Sequence, residues 1–425
     1  MNYQDFILSK TREVADFGFK PKNLNKNLFE FQKHIVKQSL KKGRYAVFAD
    51  CGLGKTLMQL EIAYQCYKYT KKQSLILAPL AVIEQTINEG KKFNINVGNI
   101  NTGKPVEITN YEQLKNIDPK KYDCICLDES SILKSFQGKI KKQLIDTFKN
   151  TNYRFCFTAT PSPNDIMELG NHSEFLGQMN YKNMLSMYFI NDMDTVQKWR
   201  LKGHAEKIFW KWVSDWSICA TSPMDLGFNN EGYNLPKLNL IDHKLKSDKL
   251  DNGLLFNNLS VSSTNHNAEL KRTFDIRMQK TIELSKGNEP VIVWVKHNEE
   301  SKYLSSAIKG AKEVTGSMKD EQKKKLLLGF AKGEFRVLVT KPKIAQYGLN
   351  YQHCNTQVFP SLDFSFEGTY QAIRRSYRFG QKKQVNIHLI TTDTMENVIN
   401  AINRKQDQFK QMQNNLKQYS KKIKQ

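Results

Sequence analysis

The chain has 425 residues, 25% of them charged, and a formal net charge of +23. That length predicts two or three domains, each able to bury a core. The absence of any run of about eighteen apolar residues excludes a transmembrane helix, and residues 1–20 lack the apolar core of a signal peptide. The seven cysteines, odd in number and without paired spacing, read as reduced thiols of a cytosolic protein. The basic excess points to a polyanionic partner, with nucleic acid first.

In chain order, Phe29-Glu30-Phe31-Gln32 comes first, and the bidentate amide of Gln32 is a candidate reader of adenine. Tyr45–Ala49 reads as a strand entering Asp50-Cys51-Gly52-Leu53-Gly54-Lys55-Thr56, and Leu57–Tyr69 as the helix leaving it. In such a loop Gly52 and Gly54 let the backbone approach phosphate oxygens, Lys55 neutralises the β- and γ-phosphates, and Thr56 offers a hydroxyl to Mg²⁺. The strict pattern has glycine where Ala49 stands. Further strands are expected at Ser74–Ala78, Val106–Thr109, Cys124–Leu127 and Arg154–Thr158. Strands alternating with helical stretches predict a parallel sheet. Asp128-Glu129 ends one of these apolar strands, where an aspartate can hold Mg²⁺ and a glutamate can polarise the attacking water. Thr158-Ala159-Thr160 follows the next strand and is placed to relay the state of the γ-phosphate.

Residues 162–235 read as a helical, aromatic-rich insertion. Ile208, Trp212 and Trp216 share a helical face, and the tryptophans are expected in the core rather than as stacking platforms for bases. A second alternating pattern follows, with strands at Val291–Val295, Arg336–Thr340, Thr356–Phe359 and Val385–Ile390, after a linker between about 230 and 285. Arg375 and Arg378, three apart, are expected on one helical face. The basic, glutamine-rich tail, 399–425, carries Ile402, Phe409, Leu416 and Ile423 at heptad spacing. It predicts a helix with a buried seam, docked on the second domain.

With these residues in place, the chain resembles the superfamily 2 helicases, and within them the Swi/Snf-related branch. The phosphate loop and the segment Gln371-Ala372-Ile373-Arg374-Arg375-Ser376-Tyr377-Arg378-Phe379-Gly380-Gln381 are the specific matches. Leu77-Ala78-Pro79-Leu80, Ile108-Thr109-Asn110-Tyr111 and Gly348-Leu349-Asn350 are further echoes. Lys198–Ala205 is similar to a stretch of compact phage- and prophage-type DNA helicases. One departure is Asp128-Glu129-Ser130-Ser131, where Ser131 replaces a histidine that couples hydrolysis to nucleic acid.

The resemblance implies an α/β fold of two tandem RecA-like parallel-sheet domains. It divides the chain into domain 1 (1–161), the helical insertion (162–235), domain 2 (236–398) and a basic C-terminal helix (399–425). It implies ATP and Mg²⁺ in an interdomain cleft, with Lys55, Thr56, Asp128 and Glu129 from the first domain and Arg375 and Arg378 from the second as arginine fingers. Gln32, Gly348 and Gln371 would also touch the nucleotide, and Thr109, Asn110 and Asn350 the nucleic acid. The implied activity is ATP-dependent translocation on double-stranded DNA, by a cytoplasmic protein with a monomer favoured. A strand-separating DNA or RNA helicase and an ATP-switched nucleic-acid clamp are the alternatives. The intact Asp128-Glu129 pair counts against the clamp, since a switch needs no catalytic glutamate.

Overall fold

A computed structural model describes residues 16–135, 138–191, 199–247, 265–347 and 350–422. Contacts divide the chain into two units. One runs to Asn230 and takes in the chain again from Gln408. The other is Glu231–Asp407. Both are built on parallel sheets with interspersed helices, the tandem RecA-like architecture expected from the sequence.

The first unit contains strands β1 (Arg44–Ala49), β2 (Gln73–Ala78), β3 (Val97–Asn99), β4 (Val106–Asn110), β5 (Tyr122–Asp128) and β6 (Tyr153–Phe157). After them come a short antiparallel pair, β7 (Phe189–Asn191) and β8 (Trp199–Leu201), and then β9 (Ser217–Ala220). The main sheet runs β3-β4-β2-β5-β6-β1-β9, and its pairings among the described residues are all parallel. β1, β2, β4, β5 and β6 are buried almost without interruption, as strands covered on both faces are. The helices are α1 (Glu30–Lys42), α2 (Lys55–Thr70), α3 (Ile83–Lys92), α4 (Lys139–Phe148), α5 (Leu169–Leu176), α6 (Tyr181–Tyr188) and α7 (Glu206–Trp216).

Residues 162–235, expected as a helical insertion, hold α5 to α7 but also give β9 to this sheet, beside β1. Trp210, Trp212 and Trp216 on α7 are core residues, at 3%, 3% and 0% exposure; Trp212 and Trp216 bury the face their spacing predicts, while Ile208 on that face and Trp199 are half-buried. Trp216 meets Phe48 of β1 edge to face, so burial of α7 is tied to the strand that feeds the phosphate loop.

The second unit contains β10 (Leu238–Leu245), β11 (Val291–Trp294), β12 (Ala311–Val314), β13 (Val337–Thr340), β14 (Thr356–Phe359) and β15 (Val385–Thr392), ordered β10-β15-β14-β11-β13-β12. All of its pairings are parallel. Its helices are α8 (His266–Arg272), α9 (Phe274–Leu284), α10 (Asn298–Ala307), α11 (Asp320–Ala331) and α12 (Phe366–Ser376). Two apolar clusters form its core, one around Trp294, Phe330 and Phe359, the other around Val293, Val339 and Ile390. The stretch expected as a linker, about 230–285, contributes the edge strand β10 and two helices.

The last helix, α13 (Glu396–Lys422), has a buried seam: Phe409 and Leu416 of its heptad are at most 3% exposed and Ile402 is half-buried, with Val398 and Met412 buried beside them. Docking on the second domain holds only for its start, where Val398 and Ile402 join the second core. From Gln408 onward the helix belongs to the first unit. There the Ser162 hydroxyl donates to Met412 Sδ at 2.8 Å, and Lys417 pairs with Asp225 at 3.1 Å. Ile423 lies outside the described residues.

Candidate nucleotide site

The strand order alone collects the three motifs of the first unit. β5, β6 and β1 are adjacent and parallel, so Asp128, Thr158 and the phosphate loop all emerge at the carboxyl edge of one sheet. Ligands of open α/β sheets bind outside that edge. In register, Asp128 and Val47 face the same residue of the strand between them, Phe157.

The loop between β1 and α2 is shaped by its glycines. Gly52 and Gly54 have φ of +90° and +76°, left-handed values that side chains resist. A Cβ at Gly54 would also lie 2.4 Å from Gln32 Nε2. Ala49, by contrast, is the last residue of β1, paired in parallel register with Ala220, and has no left-handed backbone. The missing glycine is therefore not needed there. The Asp50 backbone N–H donates to Ala220 O at 2.9 Å, and its carboxylate accepts from Cys51 N at 2.7 Å. α2 starts at Lys55 with no side-chain cap, which leaves its first amides facing the loop. Lys55 Nζ donates to Ala49 O and Asp50 O, at 2.9 and 3.2 Å, so the ammonium sits inside the loop. Together these features form an anion cradle suited to a polyphosphate.

The acidic box is held from both sides. Asp128 Oδ1 accepts from Gln59 Nε2 at 2.5 Å, and its carbonyl accepts from Tyr111 Oη at 2.5 Å. Gln59 lies three residues after Thr56 on α2, so Thr56, half-buried, is on the helical face turned to Asp128. Burial, with help from Asp128, pushes the Tyr111 phenol well above its usual range, which keeps it a donor. Glu129 has φ 49° and ψ 52°, a left-handed conformation for a residue with a Cβ. Such strain costs on the order of 1 kcal/mol or more and gathers at functional sites. Ser130, fully buried, has its Oγ 3.1 Å from Nε2 of His172. Thr158 Oγ1 accepts from Thr160 N at 3.0 Å, which fixes the turn after β6.

Other residues singled out in the sequence have local duties. Gln32 is 3% exposed; its amide donates to Leu53 O at 2.9 Å and accepts from Phe29 N at 3.0 Å. It therefore braces the phosphate loop. Thr109 and Asn110 are 6% and 8% exposed, and Asn110 caps the turn Tyr111–Asn116 by accepting from Gln113 N. Asn350 is exposed, and Gly348 lies outside the described residues.

On the second unit, Gln371 and Arg375 lie half-buried on α12, and the Nε of Arg375 is buried without a hydrogen-bond partner. The shared helical face expected for Arg375 and Arg378 is not formed, because α12 ends at Ser376. The Gln381 side chain caps that end by donating to Ser376 O at 3.2 Å, and Arg378 sits in the turn beyond. Arg374 lies over the rings of Tyr370 and Tyr377, at 5.1 and 5.2 Å.

Gln59, Tyr111 and His172 hold the acidic box although no motif of the sequence assigns them a role. Gln59 has a signal: it is one helical turn beyond Lys55. His172 has none, being a lone histidine between Asn171 and Ser173 that belongs to no motif.

Two family models match the chain, in the order of its two sheets. "Type III restriction enzyme, res subunit" covers residues 23–163, and "Helicase conserved C-terminal domain" covers 275–380. No curated protein matches. Among solved structures, a Sulfolobus solfataricus SWI2/SNF2 ATPase core in complex with dsDNA is similar at 16% identity. That match covers 88% of this chain and 90% of the other, with a TM-score of 0.46. By its two matched regions the chain belongs to the superfamily 2 helicases. Its class of activity is that of a nucleic-acid-dependent ATPase. No helix among the described residues is long and apolar enough to cross a membrane.

Proposed function

We propose that the chain is an ATP-driven DNA translocase of the Swi/Snf-related branch. The observation that carries the reading is the bond from Gln59 to Asp128, which ties the helix leaving the phosphate loop to the acidic box. In this reading the amides around Gly52 and Gly54 and the start of α2 receive the phosphates of ATP, and Lys55 neutralises them. Thr56 and Asp128 would hold Mg²⁺, which when bound neutralises phosphate charge and orients the γ-phosphate. Glu129 polarises the attacking water. Arg375 and Arg378 would stabilise the charge that develops in transfer, and Gln32 and Gln371 would contact the nucleotide, Gln32 from its place against the phosphate loop. Double-stranded DNA is the proposed track, supported by the +23 charge and by the Swi/Snf-like segments of the sequence.

The test is ATP turnover measured in parallel with duplex DNA, single-stranded DNA and RNA, alongside strand displacement on forked and blunt duplexes. Stimulation by duplex DNA without strand separation is expected, and Lys55→Ala should abolish it. Turnover stimulated by RNA alone, or strands released from blunt duplex, would replace the translocase with a strand-separating helicase. Nucleotide-dependent DNA binding with no turnover would leave a clamp.

A further inference from the structure

We propose that His172, on α5, is a positioning residue for Glu129; the proposal rests on the ATPase reading above. Glu129 is strung between two anchored neighbours. Before it, Asp128 is held by Gln59 and Tyr111. After it, fully buried Ser130 opens the short turn Ser130–Lys134, and its hydroxyl is bonded to His172 Nε2 at 3.1 Å. The next-door residue Asn171 donates from Nδ2 to Lys134 O at 3.3 Å. Consecutive residues of one helix thus hold both ends of the turn that follows the catalytic glutamate.

The same imidazole is packed edge-on against Phe48 of β1, with centroids 5.5 Å apart and planes at 85°. Phe48 lies two residues before Asp50, so His172 touches the strand that feeds the phosphate loop and the box that supplies the carboxylate. The ring is fully buried, with the backbone of Glu168 and Ser130 as further polar neighbours. Burial holds the imidazole neutral, with a pKa of about 4. A buried imidazole costs more to desolvate than an apolar ring of its size, so its hydrogen bonds have to repay the burial. Its polar contribution lies in the Ser130 bond. That bond adjoins a left-handed glutamate whose conformation the surroundings must impose.

The experiment is steady-state ATPase of the full chain with DNA for wild type, His172→Phe, His172→Gln, Ser130→Ala and the double variant Ser130→Ala/His172→Phe. His172→Phe and Ser130→Ala should each lower kcat about tenfold while KM for ATP moves less than about twofold, the signature of an interaction used in the transition state. The double variant should be no slower than the slower single one, because both remove one bond. His172→Gln should recover most of the rate, since its amide reaches the position of Nε2. Losses that multiply in the double variant, or a change confined to KM, overturn the proposal. So does full kcat in a His172→Phe protein that binds a fluorescent ATP analogue normally. If His172→Phe does not fold, Ser130→Ala decides: unchanged kcat overturns the proposal. A wild-type chain with no turnover on any nucleic acid overturns the ATPase reading and this one with it, whereas an active wild type with fully active variants overturns this one alone.

Discussion

Gln59 and Asp128 are joined at 2.5 Å, side chain to side chain, across sixty-nine residues of sequence. The amide comes from the first turns of the helix that leaves the phosphate loop, and the carboxylate from the end of a strand two places away in the sheet. One oxygen of Asp128 is thereby oriented, as outer partners orient the ligands of metal sites.

Gln59→Leu should therefore raise the Mg²⁺ concentration giving half-maximal ATPase by about tenfold, the low end for loss of such a partner. Leucine fills the volume at a site 1% exposed, so the fold should survive. A Mg²⁺ titration of turnover at saturating ATP checks this. An unchanged midpoint would mean that Asp128 does not depend on Gln59, or is not the metal ligand.

Much of this site is legible in the sequence because its chemistry is backbone chemistry. Glycines at 52 and 54 are demanded by left-handed φ, and acidic residues at a strand end by the edge of a parallel sheet. What was not legible was decided by tertiary contact. Ser217–Ala220 is a short strand straight after a Trp-rich helix, with no turn residues to announce it, and only pairing with β1 makes it one. Leu238–Leu245 lies in what reads as a linker and becomes a strand by pairing with β15. Arg375 and Arg378 looked like one helical face because three-residue spacing assumes that the helix continues. The turn at Gly380, φ +89°, and the Gln381 cap end it first.

Glu129→Gln should keep ATP binding and lose turnover. Glutamine preserves the shape at a left-handed position but not the charge that polarises water. A fluorescent ATP analogue should bind with near-normal affinity while the rate of hydrolysis falls by at least about 10²-fold. Collapse of affinity instead would make Glu129 a structural or metal-binding residue.

Glu168 gives a pH prediction. It is 3% exposed, and burial lifts its carboxyl to about 7 against the opposing pull of the Asn164 side-chain and backbone N–H groups. Between the ordinary glutamate value of 4.5 and about 7 the folded protein holds a proton that the unfolded chain has lost. Stability from this group is therefore present at low pH and drains away as pH rises through that window. Glu168→Gln does not titrate. Its stability relative to wild type should rise between pH 4.5 and 7, by an amount on the order of 2–3 kcal/mol. Denaturant unfolding of both proteins across that range measures the difference, in which the other carboxylates cancel. A flat difference would mean that Glu168 ionises freely in the folded state.

DNA affinity should fall steeply with salt. A chain of net charge +23 that binds phosphates releases condensed counterions. A log–log slope of about −3 to −6 corresponds to several phosphate contacts. Fluorescence anisotropy with duplex DNA over a salt series gives the slope, and a flat line would assign the basic charge to another purpose.

The last prediction separates two roles for the basic segment of the second unit. Arg375 carries a buried Nε without a partner, on a side chain otherwise half-buried at the end of α12. A solvated basic surface does not bury an unpaired guanidinium nitrogen, because water would satisfy it. If Arg375 and Arg378 act on the γ-phosphate, Arg→Lys at either position should lower kcat by about 10³-fold, the lower bound for an arginine finger. Lysine keeps the charge but not the planar fork, so it should not rescue. Nucleotide affinity, which rests on Lys55 and the loop of the first unit, should change little. If these arginines instead touch DNA, the same variants weaken DNA binding and leave DNA-independent ATPase intact. Measuring ATPase with and without DNA, and DNA affinity, on Arg375→Lys and Arg378→Lys distinguishes the two. Full DNA-independent turnover in both variants would remove the second unit from the chemistry.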